Sequence, residues 1–369
     1  MELDSDNTTS MKHTFESIIP KVDRFYIELT NACNFGCHFC PSTVSKRNPQ
    51  NMDFSLFRKI VDEISNDGIT NTVAFYLLGE PLLYPRIYDA IGYAKEKDLK
   101  VEITSNGSLL RDGSVEELVK RDLDILVISV VTINEKEHEL RNSSISFRNY
   151  YQRVLDSIRT IRRLSAKLRI ELRLLSTYTK RFFDVDREIA IGESKKRFKE
   201  DLSRFVTDLL EVLGKEVPDS KIRKLLRKIN IHGEQILWLQ EKTGIFIRPF
   251  VDWGNAFNSG VVHPCRVGYC GLAFTNMGVL SNGDSVICCG DYDGHTSLGS
   301  LRDNSITQLL GSEKAQNIAK AFRHFKILHP YCRRCLGSSN AAMSFVKGIS
   351  SIFLFKIGSA TKPRELYLN

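Results

Sequence analysis

From about residue 24 the chain alternates short runs of β-branched or aromatic residues with amphipathic helical stretches. That alternation confines it to repeated βα units built around a parallel sheet. Strands are expected at Phe25–Leu29, Thr72–Leu78, Lys100–Thr104, Ile125–Val130, Leu168–Leu175 and Ile245–Pro249. Between them apolar residues recur three and four apart, as in Phe54, Phe57, Ile60, Val61 and Ile64, or Val154, Leu155, Ile158 and Ile161, which is the period of a helix with one buried face. Six such units fit an α/β fold of the partial (β/α)6 TIM-like kind better than a closed eightfold barrel.

The pattern assigns residues 1–20 to an N-terminal extension and 21–254 to the barrel. Residues 180–243 break the alternation: they are denser in charge than the rest and carry helical periodicity from Phe198 to Ile229, punctuated by Gly214 and Pro218. This is expected to be a helical insertion between the fifth and sixth strands, either a solvated decoration or a lid or docking surface. From 255 to 340 the character changes to short strands, Gly-rich turns and cysteines, with Asn282-Gly283-Asp284 as a hairpin signal, and a separate small metal-stabilised unit is expected there. The tail, 341–369, has an apolar run from Ile352 to Phe355 between Lys347 and Lys356. It either docks on the barrel, the favoured reading, or makes peripheral contact with a membrane surface.

No run of about 18 apolar residues is present, so no transmembrane span is expected. The formal charge of +8 is spread along the chain, and no aromatic-basic stripe suggests nucleic acid. Nine cysteines without an export signal argue against a disulfide framework and for a reducing, cytoplasmic setting. They fall into two groups, Cys33, Cys37 and Cys40, then Cys265, Cys270, Cys288, Cys289, Cys332 and Cys335.

Cys33-Asn34-Phe35-Gly36-Cys37-His38-Phe39-Cys40 follows the first expected strand directly. Three thiolates within eight residues wrap one face of an iron–sulfur cube and leave its fourth iron without a protein ligand. A structural zinc site normally recruits paired CxxC or CxxC and HxxxH sets, and would need His38 to complete this one. The CxxxCxΦC pattern, with Phe39 as the aromatic, resembles the signature of the radical S-adenosylmethionine (radical SAM) enzymes. That resemblance implies a [4Fe–4S] cluster on Cys33, Cys37 and Cys40 with S-adenosylmethionine on its open iron, and reductive cleavage to a 5′-deoxyadenosyl radical that abstracts a substrate hydrogen.

Further landmarks follow in order. Leu78-Gly79-Glu80-Pro81, after the second strand, resembles the family's GGE element, with Leu78 in place of the first glycine, and implies that Gly79 and Glu80 take the methionine ammonium. Thr104-Ser105-Asn106-Gly107 is similar to the TNG turn and places Ser105 and Asn106 near the cofactor. Ser129 and Arg141 look like the serine and arginine that contact ribose and carboxylate, although the usual acidic DG is replaced by Val131-Thr132. All lie at the expected C-terminal ends of strands, where a βα barrel builds its active site.

Downstream, Cys270 is followed by Gly283 and Cys288 in a CX9–15GX4C pattern, and Cys332 and Cys335 add a CxxC. This resembles the SPASM or shorter twitch extension of the same family and implies one auxiliary [4Fe–4S] cluster on Cys270, Cys288, Cys332 and Cys335, with Cys265 and Cys289 left open as alternative ligands. A zinc ribbon on the same four residues, in a non-enzymatic binding protein, is the competing reading. The resemblance also implies a flavodoxin- or ferredoxin-type electron donor. The substrate is a small molecule, such as a sugar or aminocyclitol oxidised with the auxiliary cluster as electron acceptor, or a peptide that is matured, cross-linked or epimerised. The short stretch before the barrel favours the small molecule.

Overall fold

A side-chain cap followed by apolar residues three and four apart makes the first helix. In the computed structural model, which describes residues 21–177, 189–231, 233–250, 252–258, 260–354 and 363–368, strand β1 (Phe25–Ile27) leads to α1 (Phe54–Asn66). Asp53 accepts a hydrogen bond from the Ser55 N–H, and Leu56, Phe57, Ile60, Val61 and Ile64 are buried. The unit then repeats as β2 (Thr72–Phe75), α2 (Ile87–Glu96), β3 (Lys100–Ser105), α3 (Asp112–Lys120), β4 (Ile125–Val131), the short α4 (Glu135–His138), α5 (Phe147–Leu164) and β5 (Arg169–Ser176).

After β5 the expected helical insertion contains α6 (Lys195–Val212) and α7 (Asp219–Arg227), but then a strand, β6 (Gln235–Gln240), turns back into β7 (Thr243–Pro249). The stretch to residue 243 is therefore not helical throughout. β6 pairs antiparallel with β7 and shields its outer edge. Helix α6 packs on α5 and sends Phe198, Leu202, Phe205, Val206 and Leu209 into the main core, which makes it a flank covering and not a lid.

Strands β1 to β5 and β7 lie side by side and parallel, in the order β1-β2-β3-β4-β5-β7, as an unclosed partial barrel. Period-2 alternation sorts their side chains. On β5, Ile170, Leu172 and Leu174 join the helix-side core, so Arg169, Glu171, Arg173 and Leu175 turn to the concave face.

The cysteine-rich region adds β8 (Gly278–Val279), β9 (Ser285–Val286), α8 (Ile306–Gly311), α9 (Glu313–Arg323), α10 (Pro330–Cys335) and α11 (Ala341–Ile352). The expected hairpin is there, with Gly283 at φ +100° in its turn. It does not stand apart from the barrel, because β8 pairs parallel with β1 and extends the same sheet.

Of the tail, residues 364–367 dock on the barrel sheet as expected, and the helix before them does not. α11 packs on the 263–269 segment of the cysteine-rich region: Ser344 Oγ donates to the His263 carbonyl at 2.7 Å, and the Tyr269 N–H donates to Ser351 Oγ at 2.9 Å. A Cβ at Gly348 would lie 2.0 Å from the Val267 carbonyl oxygen, so only glycine allows that approach. Phe345, Val346, Phe353 and Leu354 stay exposed on the outer side, Phe355 lies outside the described residues, and β10 (Arg364–Tyr367) closes the sheet edge beside β6. Among the described residues no helix is long and apolar enough to cross a membrane.

Candidate active site

The loop after β1 is held by its backbone. The Gly36 N–H donates to the Asn142 carbonyl at 3.2 Å, the His38 N–H to the Leu140 carbonyl at 2.9 Å and the Cys40 N–H to the Cys37 carbonyl at 3.0 Å. Cys33 is exposed, Cys37 and Cys40 half-buried, and His38 exposed to solvent, away from the role of a fourth ligand. Burial pushes all three thiols up, Cys37 to about 12 against the pull of the Arg141 guanidinium. Thiols so placed ionise readily only when a metal compensates the charge.

Gly79 sits where nothing larger fits, at φ +76° with its Cβ direction 2.3 Å from the Thr30 carbonyl oxygen. This close approach lets the Glu80 N–H reach the Ala32 carbonyl at 2.8 Å and clamps the β2 loop to the cysteine loop. Glu80 is buried and its carboxylate is already engaged by Ser105 Oγ at 2.8 Å, the Asn106 N–H at 2.6 Å and the Leu82 N–H at 3.1 Å. Its burial pushes the carboxyl up, opposed by those donors. Ser105 is fully buried beneath it. Asn106 reaches outward, its Nδ2 2.9 Å from Asn34 Oδ1 and 3.8 Å from Cys33 Sγ.

Arg141 is only 1% exposed and lies between the rings of Phe35 and Tyr150, 4.7 Å from each centroid. It donates to the Val130 carbonyl and to the Tyr150 hydroxyl, both at 2.7 Å, and to the Asn106 carbonyl at 3.3 Å. The guanidinium therefore fastens the cysteine loop, β4 and the β3 turn together, with its charge beside Cys37. Ser129 lies half-exposed on β4 at an irregularity in the pairing with β5, next to Val131 at φ +65°. Phe39 is buried with Val131, Ile189 and Ile191. The structure thus brings Cys33, Cys37, Glu80, Ser105, Asn106 and Arg141 into one connected set at the barrel mouth, with Ser129 and Phe39 one strand further round.

The second cysteine group surrounds a small apolar cluster of Ala273, Phe274, Ile287, Ile318 and Phe322, against which Cys270, Cys288 and Cys332 pack. Burial raises Cys332 and lifts Cys335 to about 11, and in both Cys270 adds the largest charge effect. Cys265 is buried within the same cluster, its Sγ 3.0 Å from the Val267 carbonyl and 3.2 Å from the Ser344 carbonyl as an S–H donor. Cys288 and Cys289 share a hydrogen bond that raises the first and lowers the second. Asp291 is consumed by its own turn, accepting from the N–H groups of Gly294, His295 and Thr296. Among the described residues no three Cys, His, Asp or Glu side chains converge on the position of a single metal ion, which a zinc ribbon would require.

Two residues that the sequence patterns did not single out join the two groups. Glu28, buried at the end of β1, accepts both arms of the Arg47 guanidinium at 2.6 and 2.7 Å, the Ser281 N–H at 3.0 Å and Ser281 Oγ at 2.9 Å. Arg47 also donates through Nε to the Tyr292 carbonyl at 2.9 Å. The cysteine loop is thereby pinned to the hairpin that carries Cys288. The only sequence signal for this was a charged residue at a sheet-internal position of β1.

Comparison with known proteins agrees with this geometry. A model of the radical SAM superfamily matches residues 27–171, and a model of an iron–sulfur cluster-binding domain, SPASM, matches residues 270–336. The chain is 30% identical over 105 residues to the tungsten-containing aldehyde ferredoxin oxidoreductase cofactor-modifying protein of Pyrococcus furiosus, covering 28% of this chain and 30% of that protein. It is 26% identical over 106 residues to the S-adenosyl-L-methionine-dependent 2-deoxy-scyllo-inosamine dehydrogenase of Niallia circulans, covering 28% and 42%. Among solved structures, native anSMEcpe with bound AdoMet has the same fold, with a TM-score of 0.52 at 14% identity over 91% of this chain and 97% of that one. The matched stretches span less than half the length of these two curated relatives.

Proposed function

The chain belongs to the radical SAM superfamily and carries a SPASM domain behind its partial barrel, and from that premise we propose that it oxidises a small molecule, such as a sugar or aminocyclitol, held inside the barrel. The family's cofactors are a [4Fe–4S] cluster with S-adenosylmethionine and auxiliary iron–sulfur, and together they supply a 5′-deoxyadenosyl radical, hydrogen abstraction and an acceptor for the substrate's electron. The residues present fit these groups: three thiols on one anchored loop with Cys33 open to solvent, and Cys270, Cys288 and Cys332 packed on one apolar cluster, with Cys335 on the same short helix as Cys332.

The observation that carries the reading is the connection between the sites. Asn106 touches Cys33 from the β3 turn, Glu80 holds Asn106, and the Arg47–Glu28 pair ties the same cysteine loop to the Cys288 hairpin. In this assignment Cys33, Cys37 and Cys40 hold the first cluster, while Gly79, Asn106, Ser129 and Phe39 bind S-adenosylmethionine. Glu80, Ser105 and Arg141 are better positioned to orient that pocket than to grip a ligand, since their polar groups are already spent on protein partners. The flanking position of α6 and the aminocyclitol-oxidising relative support the small-molecule substrate; a flavodoxin- or ferredoxin-type protein supplies the reducing electron.

The test is anaerobic purification with iron and sulfide quantified per chain, then incubation with dithionite and S-adenosylmethionine. Two clusters correspond to about eight irons, and 5′-deoxyadenosine is expected. Replacing Cys33, Cys37 and Cys40 together by Ala is expected to abolish it and leave the second cluster in place. Zinc without iron, or cleavage that survives the triple substitution, overturns the assignment.

A further inference from the structure

The concave face of the sheet carries four arginines, and their partners do not match them. Arg24 meets Glu102 at 3.1 Å, Arg169 meets Glu171 at 2.6 Å, and Arg248 meets Glu234 at 3.2 Å. Among the described residues no carboxylate lies within 4.0 Å of Arg173, although Glu102 feels its charge from further away. A guanidinium withdrawn from water is normally paired with an anion. The Glu234 partner of Arg248 has a 42% exposed side chain, so that pair is weakened by solvent and leaves Arg248 able to take a second anion.

Both arginines border one ring. Arg173 lies opposite Phe246 across β5 and β7, and both guanidinium carbons, Arg173 Cζ and Arg248 Cζ, are 5.9 Å from the Phe246 ring centroid. Tyr76 follows β2 and faces the same space, its ring 6.1 Å from that of Tyr26. Its hydroxyl is pushed up to about 12, by burial first and against the pull of Arg173 and Arg248, with Cys40 and Cys289 among its other charged neighbours. Tyr76 packs with Cys289 on the cluster of Tyr26, Ala74 and Leu77, and feels the charge of both arginines. A guanidinium pair with a phenol on one apolar ring is a receptor for a carboxylate or phosphate group.

We propose that Arg173 and Arg248, flanking Phe246 inside the barrel beside Tyr76, bind an anionic group, carboxylate or phosphate, of the molecule on which this protein acts. The inference rests on the reading of the barrel interior as the substrate chamber and narrows the substrate to an anionic one. Arg173 supplies the binding charge, Arg248 the second arm, and Tyr76 a hydrogen bond that fixes orientation. The anion gives Arg173 the direct partner that Glu102, already paired with Arg24, does not supply, and a neutral sugar leaves it without one.

The test uses the reconstituted full chain in low-salt buffer and two probes, inorganic phosphate followed by 31P NMR line broadening and acetate labelled at its carboxyl carbon followed by 13C. Saturable broadening by at least one of them is expected, and which one broadens separates a phosphate from a carboxylate ligand. Arg173→Gln is expected to weaken it at least tenfold, Arg173→Lys to retain part of it, and the exposed Arg159→Gln to leave it unchanged. Iron content and thermal melting check each variant; if Arg173→Gln does not load iron, Arg173→Lys and Arg248→Gln decide. No saturable broadening by either anion, or broadening indifferent to these substitutions, overturns the proposal. Formation of 5′-deoxyadenosine by the same preparation separates the two readings: anion binding without cleavage refutes the radical function alone, and cleavage without anion binding refutes the anion site alone.

Discussion

Arg47→Ala removes the side chain that fastens the cysteine loop to the Cys288 hairpin, and its effect follows from what remains around Glu28. The Glu28 side chain is fully buried and that of Arg47 only 11% exposed. Without Arg47 the carboxylate keeps three donors, the Ser281 N–H and hydroxyl and the Leu78 N–H at 3.3 Å, but no counter-charge. Removing one partner of a buried ion pair costs about 3–5 kcal/mol, and the surviving donors place this case near the lower end, about 3 kcal/mol. For a chain of 369 residues, with an unfolding entropy of about 2.1 cal/mol/K per residue, that corresponds to a fall of roughly 4 °C in the melting midpoint. Arg47→Lys keeps the charge but loses the two-armed geometry, so about half the effect is expected. In Arg47→Ala/Glu28→Gln the buried charge is gone, and the double variant should recover at least about 1.5 kcal/mol over the sum of the single ones. Circular dichroism melts at pH 7 of wild type, Arg47→Ala, Arg47→Lys, Glu28→Gln and the double variant measure this. A drop of less than about 2 °C for Arg47→Ala, or strict additivity, refutes the view that this pair joins the two regions.

Gly79→Ala forces a Cβ against the Thr30 carbonyl at a left-handed φ, so a loss of about 2–4 kcal/mol and a selective loss of iron from the first cluster are expected, read by melting and iron analysis. Cys265→Ala removes a buried S–H donor already engaged by two backbone carbonyls; a loss of about 1–2 kcal/mol with iron content unchanged is expected, and a loss of iron would make Cys265 a ligand. His138 is buried against Tyr150 and Phe147 with Nε2 3.2 Å from the Ile145 carbonyl, and burial lowers its folded-state pKa below 6.5. The unfolded chain then takes the proton first, so the contribution of His138 to stability is complete above pH 6.5 and is lost as pH falls through the folded-state value. Melting midpoints of wild type and His138→Gln should converge as pH drops from 7 to 5.

The barrel strands were legible because each βα unit announces itself twice, by a β-branched run and by a helix with a periodic apolar face. β6 was not, because the turn that joins it to β7 is Glu241-Lys242, with Lys242 at φ +63° and no Gly, Asn or Asp to mark it, and charged helices precede it. The cysteine spacing and the order of the following motifs located the mouth of the barrel. The work done by Arg141 was hidden, since it depends on Phe35 and Tyr150, which approach only in the fold. The arginines of β5 posed a different difficulty. Alternating charge along a strand ordinarily marks a water-facing side, and here the same pattern, Arg169, Glu171, Arg173, turns inward.

The pairing of β8 with β1 fixes more than the position of a hairpin. Hydrogen-bonded neighbours in a sheet stand about 4.8 Å apart with little freedom to change, and the first cysteine loop leaves β1 while the hairpin bearing Cys288 begins with β8. With clusters on these segments, the tunnelling path between them is set by the sheet and not by a hinge between domains. Its rate, which depends steeply on distance, should then be insensitive to viscosity and to domain motion, so that an electron passing between them meets the same separation each time.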